Sequence, residues 1–574
     1  MPALGAGIHV LFCNTIKDVD GRDKPGHDAK WVEPIQSCFR LHFARPATER
    51  ETDMDMSVRV GAAAEPQPAK AEPRKAIRGA NASGLDAWLE KVEALGELKR
   101  ITAEVDPDLE AATITYLVGG EKSPALLFEN IKGHPGHRAL YNMIGCNLSR
   151  FCLMIGEQPV DHPLKAVQIL QQKLGRKMPP KEISADQAIC NQNIVEGDDI
   201  DIRMFPAQRM WPLDGGMYLG TGDAVVTKDP ETGRINVGTY RMMIKGPREV
   251  GVYTSPGKDA TIDREKWWKM GKPMPIAAAY GIDPLLFLVA ATSLPKTECE
   301  YDYYSGINGA PIEVFTSDLT GLPLPARAEI VLEGFLYPDE TFAEGPFGEF
   351  TGYYGRPSGA TPFMRVERLR YRDNPTLTCA LMADGAANEA GLFWAALRSA
   401  GIWADLQKLG VPGIKGVWSI PEAAGWGITV VSIKQMYAGH AAQVMALAAQ
   451  CTAGAYFGKY VIVVDDDIDP TNVHQVLWAM ATRSRPAQSI DILRETWRTY
   501  LDPSLNPPEI RPWGSKCLIN ACMDYRFIKT FSKRTKLSKQ AYDNVVARWQ
   551  ELGLSGTPPA ISVFEEETGS DSVT

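Results

Sequence analysis

The 574-residue sequence has ten cysteines but no C-x-x-C pair. That excludes a zinc ribbon and a disulfide framework, and points to a reducing compartment. Its eight histidines stand at 9, 27, 42, 134, 137, 162, 440 and 474. The long middle of the chain therefore has none, which excludes a His-based triad or a three-His zinc site centred there. No G-x-G-x-x-G follows a strand-like run, and neither H-E-x-x-H nor G-x-S-x-G occurs, so the signatures of a dinucleotide fold, a zinc protease and an α/β-hydrolase are missing. Gly251 to Lys258 has the wrong spacing for a phosphate loop, and Asp259 stands where Ser or Thr should follow. Positive charge is not in excess either. The balance of 61 Lys and Arg against 70 Asp and Glu gives −9, unlike the basic footprint of a nucleic-acid binder. The most apolar run, Pro275–Pro295, is broken by Gly281 and Asp283-Pro284. It reads as a buried strand and helix, not as a membrane span.

What remains is a globular composition, 44% hydrophobic and 23% charged, which excludes a disordered chain. The length suggests three or four domains. Met1 to Asp55 shows no sustained period and no basic start followed by an apolar stretch, so it does not read as a signal peptide. The expectation is that translation starts at Met54 or Met56, which mass spectrometry of the native N-terminus would test. Ser57 to Gly84, an Ala/Pro/Glu/Lys tract, reads as a flexible linker.

Periodicity begins near Leu85. Leu85, Trp88, Leu89, Val92 and Leu95 share a helical face that Gly96 ends, and a second helix is expected over Leu164 to Leu174. Ala125–Phe128 reads as a buried strand. Strand-like runs then follow at Ala224–Thr227, Ile235–Ile244, Ile312–Phe315, Ala328–Gly334 and Phe363–Tyr371, separated by Gly/Pro turns, which suggests a barrel-like β domain. Beyond Ala380 the pattern alternates helix and strand, with Gly427–Ile433 and Tyr460–Val464 typical of a buried parallel sheet. A helix is expected near Lys539–Leu552. The expected organisation is an extension and linker over 1–84, an α/β domain over 85–180, a β domain over 181–375, an α/β domain over 376–560 and an acidic tail over 561–574.

With no histidine available, chemistry in the β domain must run on Arg, Glu, Asn and a bound cofactor. Three segments concentrate such groups in turn-rich sequence: Asn236–Arg241, Glu298–Tyr301 and Glu344-Gly345-Pro346-Phe347-Gly348-Glu349. In a regular strand Asn236 and Arg241 point to opposite faces, unless a bulge at Gly238 re-aims one. Taken singly, each segment fits a solvated surface loop as well as a site.

Taken together they are more specific. Asn236–Arg241, Ile330–Gly334, Glu344–Glu349 with Thr351–Tyr354, Val431–Gln435, Tyr437–His440, Val461–Asp467 and Gly514–Lys516 occur in an order that resembles the UbiD-type decarboxylases, which use prenylated FMN (prFMN). The resemblance runs from about Leu85 to beyond Lys516. It implies a mixed multidomain fold: an N-terminal α/β domain, a central split β-barrel that binds the flavin, and a C-terminal α/β domain that dimerises. Asn236 and Glu300 match the family's metal ligands for Mn²⁺, with K⁺ nearby, which suits oxygen donors. Lys434 matches the lysine on the cofactor phosphate. The backbone of Val237 and of Ala291, Thr292, Ser293 and Leu294 falls where the monovalent ion and cofactor would lie.

Arg241, Glu344 and Glu349 match the catalytic set. Arg241 would bind the substrate carboxylate through two hydrogen bonds and Glu344 would pair with Arg241 and stay ionised. Glu349, desolvated and raised in pKa, would protonate the carbon after CO₂ leaves. One departure stands out: where relatives carry a metal-binding His, this chain reads Thr254-Ser255-Pro256-Gly257-Lys258-Asp259. Ser255 or Asp259 could complete the metal shell, Lys258 could replace part of its charge, or the turn could have no ligand role. The S-P-G-K wording is similar to the branch acting on hydroxybenzoic acids such as protocatechuate and gallate.

The resemblance therefore implies a cytoplasmic enzyme that decarboxylates an aromatic or heteroaromatic acid reversibly and without oxidation. It would be supplied with cofactor by a flavin prenyltransferase and assembled as a homodimer or a set of dimers, with no nucleic-acid or membrane partner. A carboxylase running in reverse, a catalytically silent flavin-binding or assembly subunit, and an oxidoreductase using ordinary FMN are the alternatives. Asp465–Asp467 reads as structural capping, His440 as structural or as support for Lys434, and the 13 Trp residues, including Trp267 and Trp268, as packing.

Overall fold

The computed structural model describes residues 84–292, 294–499, 501–505, 513–559 and 561. The expected extension and alternative start, most of the linker, Ser293 and nearly all of the acidic tail lie outside the described residues. The first helix, Leu85–Ala94, buries Leu85, Trp88, Leu89 and Val92, the spacing that puts one apolar stripe on the core. Each such side chain contributes on the order of 1.5–3 kcal/mol on burial. Leu98–Ile101 pairs in parallel with Ala125–Phe128, which pairs antiparallel with Arg138–Tyr141. The fourth strand of this sheet is Thr376–Thr378, parallel to Arg138–Tyr141. The chain thus crosses the middle sheet and returns to complete the first. Buried Glu329 fastens that return by accepting from the Thr376 N–H at 2.6 Å and from Arg372 Nη1 at 3.1 Å. Three residues are too few to carry a period, so sequence pattern alone did not reveal this strand.

The central sheet has nine strands and is curled, a half-barrel where a split β-barrel is expected. Its hairpin Ala224–Lys228/Ile235–Gly238 is closed by Asp229, whose carboxylate accepts from the Glu231 N–H at 2.8 Å. The strand expected over Ile235–Ile244 is instead two strands, Ile235–Gly238 and Met242–Gly246. Fully buried Asp223 is the cause. Its Oδ1 accepts from the Tyr240 N–H at 3.0 Å and from Thr239 Oγ1 at 2.9 Å, which draws these residues out of the ladder. The apolar run resolves into the buried strand Met274–Tyr280 and the helix Pro284–Ala290. Asp283 caps that helix by accepting from the Leu285 and Leu286 N–H groups at 3.0 and 3.2 Å, with Pro284 in the first turn, where its missing N–H costs nothing. Among the described residues no helix is long and apolar enough to cross a membrane.

The C-terminal sheet runs in the order Ile414–Ser419, Ile428–Ile433, Tyr460–Asp465, Trp513–Ala521, Ile490–Trp497. Its middle three strands are parallel, as the β-branched runs Gly427–Ile433 and Tyr460–Val464 suggest for two of them. The helix Gly391–Lys408 packs on this sheet at Ile414–Ser419 and against the helix Pro163–Leu174. Asp465 and Asp467, expected to cap the following segment, instead hold Arg483: Nη1 lies 2.9 Å from Asp465 Oδ2 and Nη2 lies 2.7 Å from Asp467 Oδ2. The last described helix is Lys539–Ala547, shorter than its apolar pattern implied.

Candidate functional site

The break at 239–241 turns Asn236 and Arg241 into one cavity of about 180 Å³. No bulge is needed to reconcile their spacing. Arg241 is buried and held on two sides. Its Nε and Nη2 donate to Glu344 Oε1 and Oε2 at 2.9 and 3.0 Å, a bidentate pair, and Nη1 donates to Glu349 Oε1. Its Cζ lies 4.1 Å from the Tyr253 ring centroid and 5.3 Å from that of Phe347. Burial alone would lower the Arg241 pKa, but the charges of Glu349 and Glu344 outweigh it and hold the guanidinium above its ordinary value.

The two glutamates differ in surroundings. Glu344 also accepts from Tyr218 Oη at 3.0 Å, with Arg356 Nη2 and Thr361 Oγ1 each 3.5 Å from its Oε2. Its oxygens are saturated by donors. Glu349 has Arg241 as its one side-chain donor among the described residues, and desolvation raises its pKa against the pull of that arginine. The turn carrying both is fixed by Asp214, whose Oδ1 accepts from the Gly348 N–H at 2.9 Å and whose Oδ2 accepts from the Met210 and Trp211 N–H groups at 3.1 and 2.9 Å. Position 348 has no room for a side chain, because a Cβ there would lie 2.1 Å from Trp211 Cδ1.

The opposite end of the cavity is polar. Asn236 Nδ2 donates to Thr227 Oγ1 at 3.0 Å, which leaves its carbonyl oxygen uncommitted by that bond. Glu300, buried behind Val237, accepts from the Val237 N–H at 2.8 Å, and burial pushes its pKa up to about 7. Asp259, at the start of the helix Asp259–Lys269, accepts from Arg234 Nη1 at 2.9 Å and Lys296 Nζ at 2.5 Å. Arg234 Nη2 lies 3.6 Å from Glu300 Oε1, so one guanidinium bridges both carboxylates. Lys258 lines the cavity with its ammonium 5.3 Å from the Tyr456 ring centroid; burial lowers its pKa. Among the described residues no three His, Cys, Asp or Glu side chains converge on a common point suited to a metal.

Most of the expected residues therefore meet. Asn236, Val237, Arg241, Ser255, Lys258, Ala291, Thr292 and Glu349 line the cavity, with Glu344 and Glu300 directly behind it. Leu294 is half-buried and does not line it. Lys434 does not reach it either: it follows the strand Ile428–Ile433 as an exposed residue, its N–H bonded to the Gly413 carbonyl at 2.8 Å. Its neighbour His440 is buried beside Tyr437, ring centroids 4.4 Å apart, in a packing role.

The reading of tryptophan as packing holds for Trp267 and Trp268, whose Nε1 groups donate to the Lys228 and Leu336 carbonyls at 2.8 and 3.0 Å. It fails for Trp394 and Trp426. These two line the cavity from the C-terminal side with Phe350 and Tyr456, their ring centroids 4.6 Å apart at 34°. The signal was Trp426 between two glycines, where a turn rather than a core position is expected.

Comparison with known proteins follows the same three-part division. Residues 89–170, 181–384 and 391–521 match the UbiD family models for the 3-octaprenyl-4-hydroxybenzoate carboxy-lyase N-terminal, Rift-related and C-terminal domains. The chain is similar to the closed form of vanillic acid decarboxylase from Sedimentibacter hydroxybenzoicus, at 29% identity and TM-score 0.72 over 82% of this chain and 99% of that one. It is also similar to HmfF, a UbiD-class enzyme from Pelotomaculum thermopropionicum solved in complex with FMN, at 26% identity and TM-score 0.70 over 79% and 97%. An evolved dimeric form of HmfF in complex with prFMN matches at 25% identity and TM-score 0.69 over the same shares. The apo 3,4-dihydroxybenzoic acid decarboxylase of Klebsiella pneumoniae, at 23% identity and TM-score 0.69 over 79% and 97%, shares the fold.

Proposed function

The chain belongs to the UbiD family of carboxy-lyases, and we propose on that premise that it removes CO₂ from an aromatic carboxylic acid without oxidation, with prFMN as cofactor. The observation that carries this reading is Arg241 held between Glu344 and Glu349 in the lining of an aromatic-walled cavity. Losing CO₂ from an sp² carbon leaves a carbanion that no side chain here can delocalise. Bound prFMN supplies the electron sink.

The polar end fits such a cofactor. Lys258 offers a buried ammonium for its phosphate, and the Asn236 carbonyl oxygen with the carboxylates of Glu300 and Asp259 offers hard donors for Mn²⁺, Ser255 being the other candidate. The backbone at Val237, Ala291 and Thr292 is the corresponding assignment for K⁺. Lys434, exposed and absent from the cavity lining, drops out of this set.

At the reacting end, a guanidinium has five N–H donors, and the two glutamates occupy three of them. Two remain to bind and orient a substrate carboxylate. Glu344, saturated by donors, holds the plane of Arg241. Glu349 keeps its proton to higher pH than an ordinary carboxyl and delivers it to the carbon that has lost CO₂. The same residues serve carboxylation when bicarbonate is in excess, by microscopic reversibility. A silent assembly subunit would have no need of this buried charge set. The supply of cofactor by a flavin prenyltransferase, a cytoplasmic location and assembly as a homodimer or a set of dimers complete the proposal.

The test is co-expression with a flavin prenyltransferase, a visible spectrum of the purified protein, and a screen of hydroxybenzoic and furoic acids for CO₂ release. Release from at least one acid, lost on omitting the prenyltransferase, is the expected result. A protein carrying ordinary FMN that oxidises a substrate would replace this reading with the oxidoreductase.

A further inference from the structure

Tyr253 lines two cavities. The first is the one just described; the second is a cleft of about 280 Å³ lined by Tyr253, Thr254, Arg264, Arg356, Thr361 and Pro362, among others. Its lining holds two arginines and no acid. Arg264 Nη1 donates to Thr254 Oγ1 at 3.2 Å and its Cζ lies 4.9 Å from the Trp268 ring centroid. Its Nε is buried and has no hydrogen-bond partner among the described residues. Arg356 hydrogen-bonds through Nη2 alone, at 3.2–3.5 Å, to Glu344, Gly359 and Thr361, distances at the weak end of the range. Arg356 shares its one carboxylate, Glu344, with Arg241, and Arg264 has one donor orphaned and no acid in the lining, so positive charge is in excess in this partly desolvated cleft.

We propose that this cleft is a second carboxylate-binding site, which takes an aromatic acid through Arg264 and Arg356 before it passes to Arg241. A planar carboxylate matches the guanidinium fork, and Pro256, Ala360 and Pro362 supply apolar wall for the ring. The two sites lie close together, on either side of Tyr253 and Glu344. Arg356 Cζ lies 4.4 Å and Arg241 Cζ 4.1 Å from the same Tyr253 ring centroid, and Glu344 Oε2 is 3.5 Å from Arg356 Nη2 and 3.0 Å from Arg241 Nη2. A site of matching charge at the approach raises the local concentration of an anionic substrate. This inference takes its ligand class from the proposed function.

The experiment titrates benzoate into the full chain without cofactor, followed calorimetrically. Two sites are expected in the natural chain. Arg264→Gln should leave one, Arg264→Lys should retain a weakened second, and Arg241→Gln should leave the outer one. Acetate should bind the outer site at least about tenfold more weakly than benzoate, a difference of about 1.4 kcal/mol. In the cofactor-loaded enzyme Arg264→Gln should raise KM about fivefold to tenfold and leave kcat unchanged. A single benzoate site, two sites that survive Arg264→Gln, or equal affinity for acetate would overturn the proposal. Two sites in a chain that releases no CO₂ would keep this inference and remove the proposed function; CO₂ release with one site would do the reverse.

Discussion

Arg241 and Glu344 form a bidentate pair, 2.9 and 3.0 Å, with Glu344 fully buried and Arg241 nearly so. A buried pair of this kind fixes geometry more than it adds stability, whereas removing one partner strands the other charge in a low-dielectric site. Arg241→Ala should therefore lower stability by about 3–5 kcal/mol and abolish turnover. Urea denaturation beside a CO₂ assay checks both. Unchanged stability would mean that Glu344 finds water when its partner is gone.

Glu349 separates binding from chemistry. Glu349→Gln keeps a hydrogen-bonding group of the same size and removes the transferable proton, so flavin binding should persist while turnover is lost. In the proposed mechanism the acid form of Glu349 is the active one. Since burial raises the pKa of Glu349, activity should fall as pH rises through that raised value, and the pH–rate profile checks the sign.

Asp223 shapes the site without touching it. Asp223→Ala removes the acceptor of the Tyr240 N–H and Thr239 Oγ1, at about 1–3 kcal/mol for each stranded group. Segment 239–241 should then relax toward a continuous strand and carry Arg241 away. The expected outcome is a fall of roughly tenfold to a hundredfold in kcat/KM with the circular dichroism spectrum retained.

Glu389 gives a pH signature outside the reacting set. It is fully buried, accepts from the Ile144 N–H at 2.7 Å, and desolvation pushes its pKa up to about 7. A folded-state pKa above the unfolded one favours folding with the proton on. That contribution is full below the ordinary carboxyl pKa and is lost as pH rises through about 7, amounting to at most about 3 kcal/mol. Stability measured from pH 4.5 to 8 should carry this slope, and Glu389→Gln should flatten it.

Much of the scaffold was legible because its signals are local. The stripe Leu85–Val92, the cap Asp283-Pro284 and the β-branched runs of the C-terminal sheet each announce one element. The residues proposed to react were legible through resemblance, and Arg241, Glu344 and Glu349 do come together. What escaped is what depends on distant partners. Nothing local marks Asp223 as the residue that breaks the strand at 239–241, and Thr376–Thr378 is too short to carry a period. Trp394 and Trp426 become cavity wall only because the fold brings them into one lining with Asn236–Arg241, far away in sequence. Lys434 shows the converse: a motif match locates a residue in the chain, but the strand it follows decides which way it faces.

The most direct test of the central claim is decarboxylation by the prFMN-loaded enzyme in heavy water, with the product analysed by mass spectrometry and NMR. Proton delivery through Glu349 predicts one deuterium at the carbon that lost CO₂, with neither CO₂ nor labelled product from Glu349→Gln. Full turnover and full labelling by Glu349→Gln would contradict it.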